Sequence, residues 1–375
     1  MDRKIKGQNR AIELLEHALT ENKVASAYLF YGPDGVGKFA TALSFAQALN
    51  CVASKAKRPC GVCISCKKIA NFTHPDLMHV FPFPMPDGSK GDISVQGEIR
   101  SEKLLKEFEE YIENKRTTPW KDYFFSKNSG IRIASIRMLE HRITLSPNEA
   151  KRKVYIIENA ETMTNQAANA FLKTLEEPPD DTVIILTSSK PNSLLPTILS
   201  RCQKIPFQAI SPKVIEEELL EKRFISPVQA KLFAKIAGGS MAKAFRLADE
   251  ENTDTRNTSL ELLQMIYNKN DLKFMEFSAK IGNKQHQALL NDIISQLIIW
   301  LSDINYLTYY PEGVVNQDQI ELLESFYQLN PKIIDRTPEL IEFLELMINK
   351  LAGHVNPQLI LINVYNKFLE TLHQL

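Results

Sequence analysis

The chain carries no excess of either charge: 45 Lys and Arg stand against 45 Asp and Glu in 375 residues. That balance excludes holding nucleic acid through a bulk positive field, so any such contact has to be local. No apolar run reaches the ~18 residues of a membrane helix. The opening MDRKIKGQNR is no secretory signal, so a cytoplasmic protein without a membrane partner is expected. Cysteine is scarce, and four of the five cysteines crowd between 51 and 66. A disulfide framework is thereby disfavoured, and a metal site in a reducing compartment suits the crowding better. Internal repeats and low-complexity tracts are absent. What remains, 44% hydrophobic and 24% charged residues, is an ordinary globular composition with core enough for two or three domains.

A further absence is a single hydroxyl. Ala27 to Tyr31 (AYLFY) reads as a buried strand, and Gly32, Gly35, Val36, Gly37 and Lys38 follow it in the pattern G-x-x-x-x-G-K before a helix from Ala40 to Leu49. Such a loop wraps backbone amides around phosphates, and its lysine and the helix N-terminus supply positive charge. The next position requires Ser or Thr to hold magnesium, and here it is Phe39. The second place where chemistry belongs is the end of the strand Lys153 to Glu158. There Glu158 could serve a metal, but Asn159 cannot accept a proton from water. Lys38 and the glycines remain for ATP or ADP, while the missing hydroxyl argues against magnesium-assisted binding.

Cys51, Cys60, Cys63 and Cys66 have the spacing C-x8-C-x2-C-x2-C. Four thiolates so close can close a tetrahedral zinc site, which would fold a knuckle with little core of its own. Iron-sulfur ligation is the alternative, although Lys67 rather than Pro follows the last cysteine. His74 and His79 read as structural residues beside a complete ligand set. From about 86 to 129 prolines, glycines and charges surround one amphipathic helix, Ser101 to Lys115, with Leu104, Leu105, Phe108 and Ile112 on one face; this has the character of an insertion. Its Trp120, Tyr123, Phe124 and Phe125, interleaved with Lys121 and Lys127, suit either a nucleic-acid stacking surface or a satellite core.

Strands at Leu77 to Phe81, Lys153 to Glu158, Thr182 to Thr187 and Gln203 to Phe207 alternate with helices, including one capped by Thr164 and stopped by Pro178-Pro179. Together with Ala27 to Tyr31 they predict a five-stranded parallel sheet with helices on both faces and the ligand at the C-terminal strand ends. Beyond residue 207 the pattern is helical. The expected divisions are 1–207 for the phosphate-loop domain, 208–250 for a small helical lid and 251–375 for a helical bundle, with Leu289, Ile293, Ile294, Leu297 and Ile298 on one stripe and Leu340, Phe343, Leu344 and Met347 on another.

Thr164 to Phe207, TNQAANAFLKTLEEPPDDTVIILTSSKPNSLLPTILSRCQKIPF, resembles the bacterial clamp-loader AAA+ ATPases, and the four-cysteine segment fits them too. Their motor subunits (tau/gamma) carry a phosphate-loop Thr, an Asp-Glu pair at the strand end and an Arg after a Gly-Ser. Here Phe39, Glu158-Asn159 and Gly239-Ser240-Met241-Ala242 stand at those places, and all three departures resemble the delta-prime branch. The resemblance covers most of 5–250, and Asn356 to Leu369 is similar to the family's collar; residues 86–129 match nothing in it. It implies a silent member of a five-subunit assembly, with motor and delta subunits as partners, that loads a sliding clamp onto primed DNA for the polymerase holoenzyme. It also implies that Arg201, in Ser200-Arg201-Cys202, reaches a neighbouring motor subunit's ATP as an arginine finger. An active motor-type ATPase, a zinc-dependent DNA-binding protein with a relic phosphate loop, and a pure scaffold are the other readings.

Overall fold

The structure, a computed structural model, describes residues 6–54, 58–84, 102–119, 129–249, 253–282, 287–329, 331, 333–352 and 355–373. Trp120, Tyr123, Phe124, Phe125, Lys121 and Lys127 lie outside them. Two compact units are present, one made of Met1–Ile215 with Gly238–Phe245, the other of Glu216–Ala237 with Arg246–Leu375.

The first unit runs α1 (Asn9–Thr20), β1 (Ala27–Tyr31), α2 (Lys38–Asn50), α3 (Ile64–Ala70), β2 (Leu77–Val80), β3 (Phe83–Pro84), α4 (Glu102–Thr117) and β4 (Ser129–Gly130). It continues through α5 (Ile133–Ile143), β5 (Lys153–Ile157), α6 (Asn165–Glu176), β6 (Thr182–Ser188), α7 (Pro196–Leu199), β7 (Gln203–Pro206) and the start of α8 (Pro212–Lys222). Five parallel strands lie in the order β2-β5-β6-β1-β7. Their continuous apolar runs follow from burial on both faces. Leu29, Tyr155, Ile157, Ile184 and Leu186 join one core with Ile136, Leu139 and Phe171 of α5 and α6. Tyr28 points the other way, edge-on to Phe45 of α2 at 5.4 Å between ring centroids. The five-stranded parallel sheet with helices on both faces expected from the sequence is therefore present.

Local chemistry explains the element ends. The Thr164 side chain accepts from Ala167 N and starts α6. Asp76 accepts from the amides of Asn148, Glu149 and Ala150 at 2.7, 2.8 and 2.7 Å, tying the loop before β5 to the start of β2. β3 and β4 pair antiparallel, so the two ends of the segment carrying α4 leave and rejoin the domain side by side.

The second unit holds the rest of α8, then α9 (Pro227–Ile236), part of α10 (Met241–Ala248), α11 (Thr253–Tyr267), α12 (Asp271–Ile281), α13 (Gln287–Tyr309), α14 (Ile320–Leu329), α15 (Ile333–Ala352) and α16 (Pro357–His373). Ile293, Ile294, Leu297, Leu340, Leu344 and Met347 are buried together in one bundle core. Trp300 lies there too, its indole N–H donating to Ser259 Oγ at 2.9 Å. Among the described residues no helix is long and apolar enough to cross a membrane.

Phe171 is fully buried between α6 and the sheet, whereas Leu14 on α1 is 41% exposed. Phe171→Ala is expected to cost about 3–5 kcal/mol in denaturant unfolding, and Leu14→Ala to stay within about 0.5 kcal/mol.

Candidate functional site

The phosphate loop leaves the C-terminal end of β1, and Gly37 takes a left-handed φ of 93° to begin α2. Backbone packing dictates the loop's glycines. A Cβ on Gly32 would collide with the carbonyl oxygen of Phe207, and one on Gly35 with Ser240 Oγ and Ala242 Cβ. Ala242 N also donates to Gly35 O at 3.2 Å, so the segment that starts α10 clasps the loop tip. Val36 is buried. Lys38 turns its ammonium onto the loop's own carbonyls, donating to Gly32 O at 2.8 Å and Pro33 O at 2.5 Å.

Phe39 is 5% exposed and packs against His79 of β2, ring centroids 4.6 Å apart, with Phe72 stacked at 6.2 Å. Beside these rings stands Glu158, one residue beyond β5 and 8% exposed. Its Oε1 accepts from Lys115 Nζ at 2.6 Å, and its Oε2 accepts from the Tyr111 hydroxyl at 2.5 Å and lies 3.1 Å from His79 Nε2. Burial alone would push the Glu158 carboxyl up, but the Lys115 charge and the His79 hydrogen bond overcome it and hold it well below the usual carboxylate range. Burial also lowers His79, which is therefore neutral and donates from Nε2; its Nδ1 has no hydrogen-bond partner among the described residues. Lys115 Nζ further sits 4.7 Å from the centroid of the Phe39 ring.

Both cationic and phenolic groups come from α4, the helix of the insertion. Its inward face is Leu104, Tyr111 and Lys115, with Phe108 stacked on Phe81 at 5.9 Å, while Leu105 is 42% exposed. The apolar spacing puts Leu105 on that face as well, whereas the structure leaves it exposed and Ile112 half-buried. A buried carboxylate draws a cation inward, which hydrophobic periodicity does not register. His79, expected to be merely structural, and Tyr111 and Lys115, unremarked in the sequence, thus join Phe39 and Glu158. Only the charge of Glu158 at a strand end could have hinted that a cation must meet it.

The four cysteines also come together: all of their sulfurs lie within 4.8 Å of one another. A tetrahedral set on a zinc ion at about 2.3 Å would space neighbouring sulfurs about 3.8 Å apart, so the cluster fits such an ion. Backbone amides already aim at the sulfurs, Cys60 N to Cys51 Sγ at 3.4 Å, Cys63 N to Cys60 Sγ at 3.3 Å and Cys66 N to Cys63 Sγ at 3.4 Å. The amides of Cys63 and Val62 bring the Cys60 thiol down to about 6. The cluster can hold a metal ion. Cys202 lies apart, buried, its thiol pushed up to about 11 by that burial.

Arg201 follows α7, between the buried side chains of Ile198 and Cys202, and is itself exposed. Its guanidinium donates to Glu176 Oε1 at 2.6 Å and to Thr197 O at 2.9 Å. It precedes β7, whose Gln203 pairs with Tyr28 near the start of β1. The phosphate loop leaves the other end of β1, about 13 Å from Tyr28 at strand rise.

The low Glu158 pKa carries a sign. Its stabilising part is complete above the unfolded-chain value of about 4.3 and is lost as pH falls toward the depressed folded value. Denaturant midpoints followed downward from neutral pH are expected to drop in the wild-type chain and to drop less steeply in Glu158→Gln, which binds no proton there.

The family model described as DNA polymerase III, delta subunit, matches residues 7–211. The chain is 28% identical over 356 residues to DNA polymerase III subunit delta' of Bacillus subtilis, covering 94% of this chain and 93% of that one. It is 30% identical over 252 residues to subunit tau of the same organism, covering 65% of this chain and 36% of tau. Among solved structures, a DNA polymerase III gamma subunit-related protein from Thermotoga maritima aligns with a TM-score of 0.41 at 17% identity, covering 97% of this chain and 100% of that one. Because the matched model takes in the phosphate loop, the cysteine cluster and the whole parallel sheet, more than half of the chain, this chain belongs to the DNA polymerase III delta-subunit family, and its near full-length likeness is to delta-prime.

Proposed function

We propose that this chain is the delta-prime member of a bacterial clamp loader, silent at its own phosphate loop and acting on its neighbour's ATP. The observation that carries the reading is the separation within one domain of a disarmed nucleotide site and an exposed guanidinium. At the loop, position 39 offers a phenyl ring where a metal needs a hydroxyl, and Asn159 has no base to offer. Arg201 precedes β7, at the opposite ends of the strands from that loop. A planar cation presented outward suits charge developing on a phosphoryl group bound by another subunit.

On this reading the partners are the motor (tau/gamma) and delta subunits, and through the assembled complex the sliding clamp and primed DNA, in the cytoplasm. The metal of the cysteine cluster is zinc, which suits four thiolates in sixteen residues better than softer or redox-active alternatives. ATP or ADP would meet a loop whose lysine is already engaged by its own carbonyls.

Three outcomes are expected. In a reconstituted loader whose other hydrolytic sites are inactivated, Arg201→Ala should slow ATP turnover at the neighbouring site by on the order of 10³-fold, and unchanged turnover would leave a scaffold only. The isolated chain should show no steady ATP turnover. Elemental mass spectrometry of the purified chain should report one zinc per chain, lost in Cys63→Ser, together with a lower melting temperature; iron in its place would refute the assignment.

A further inference from the structure

A magnesium nucleotide does not fit the side chains assembled at this domain's phosphate-loop face. Both oxygens of Glu158 are taken by the chain itself, and the ring of Phe39 fills the place of the metal-binding hydroxyl. The substitutions at 39 and 159 explain lost hydrolysis without any help from α4. They do not explain why an insertion helix delivers a buried ammonium, 4% exposed, and a buried phenol, 3% exposed, to the carboxylate that follows β5.

We propose that α4 is an internal ligand of the phosphate-loop domain, its Lys115 ammonium standing in for the divalent cation that a strand-end carboxylate holds in active phosphate-loop enzymes, so that α4 docking and cation binding at Glu158 exclude one another. The charge matches in sign and place: Lys115 Nζ lies 2.6 Å from Glu158 Oε1, and the Tyr111 hydroxyl and His79 Nε2 complete the carboxylate's hydrogen bonds. The site is closed by rings. Phe39, Phe81 and Tyr111 surround His79 at centroid distances of 4.6, 5.0 and 5.9 Å, and Phe81 stacks on Tyr111 at 4.1 Å. A pair sealed in this way attracts far more strongly than one at a wet surface. The antiparallel pairing of β3 with β4 tethers the segment carrying α4 at both ends, which keeps the helix at high local concentration over its site. The inference stands apart from the assignment of Arg201 and from the partners named above.

The full chain with its cysteine-bound metal in place can be titrated with Mn²⁺, read by the electron paramagnetic resonance of the free ion, while hydrogen exchange reports on 102–117. Wild type is expected to retain no Mn²⁺ at Glu158 and to protect α4. Lys115→Met is expected to retain one Mn²⁺, lost again when Glu158→Gln is added, and to exchange α4 amides faster. Tyr111→Phe keeps the stacked ring and removes one hydrogen bond to a charged group, so it guards against a Lys115 variant that fails to fold; its α4 amides should exchange about tenfold faster. Wild type that retains Mn²⁺ at Glu158 with α4 protected overturns the proposal. So does a folded Lys115→Met chain that retains none, or a Tyr111→Phe chain whose α4 exchanges at the wild-type rate.

Discussion

A carboxylate sealed at the end of a parallel strand has to find its counter-charge inside the protein, because removing it from water costs several kcal/mol unless a cation and hydrogen bonds replace the solvent. Glu158 is that carboxylate, and Lys115 answers it from a helix that the chain reaches only by leaving the sheet after β2 and returning before α5. The surrounding rings exclude water from the pair. That exclusion strengthens the attraction and at the same time makes separation more costly, so the insertion helix is bound into the domain at its most charged point.

The same pair gives Phe39 its setting. A phenyl ring after the phosphate-loop lysine would be an exposed apolar group in a cleft made for phosphate; here it lies under Lys115 and against His79. The loop nevertheless keeps its path, because that path is imposed by Phe207 on one side and by Ser240 and Ala242 on the other rather than by nucleotide. Shape and side-chain chemistry are separable here: backbone packing holds the loop, and Phe39 and Glu158 face a closed aromatic box.

The other functional candidates sit away from this face. The cysteines gather their sulfurs on the segment between α2 and α3, where amide-to-sulfur hydrogen bonds preorganise the ligands. Arg201 is held outward by two neighbours in the core, Ile198 and Cys202, and steadied by Glu176 at the end of α6. The helical unit has a core of its own, built on α13 and α15, with Asp303 secured by the amides of Val315 and Asn316.

Much of this was legible in the residues. Strand and helix periodicity located all five parallel strands to within a residue or two, Thr164 marked the start of α6, and the cysteine spacing marked the four-cysteine cluster that can hold a metal. The departures at Phe39 and Asn159 could be read by chemistry alone. The face that α4 presents could not: Leu105 fits an apolar stripe as well as Tyr111 does, and a lysine looks like solvent-facing charge. Local order, loop identity and the side chains at positions 39 and 159 are properties of short stretches of chain, so sequence by itself determined them. That Lys115, Tyr111 and His79 meet on Glu158 was decided only by tertiary structure, since the pairing of a buried charge with its partner depends on which distant segment the folded sheet brings within reach.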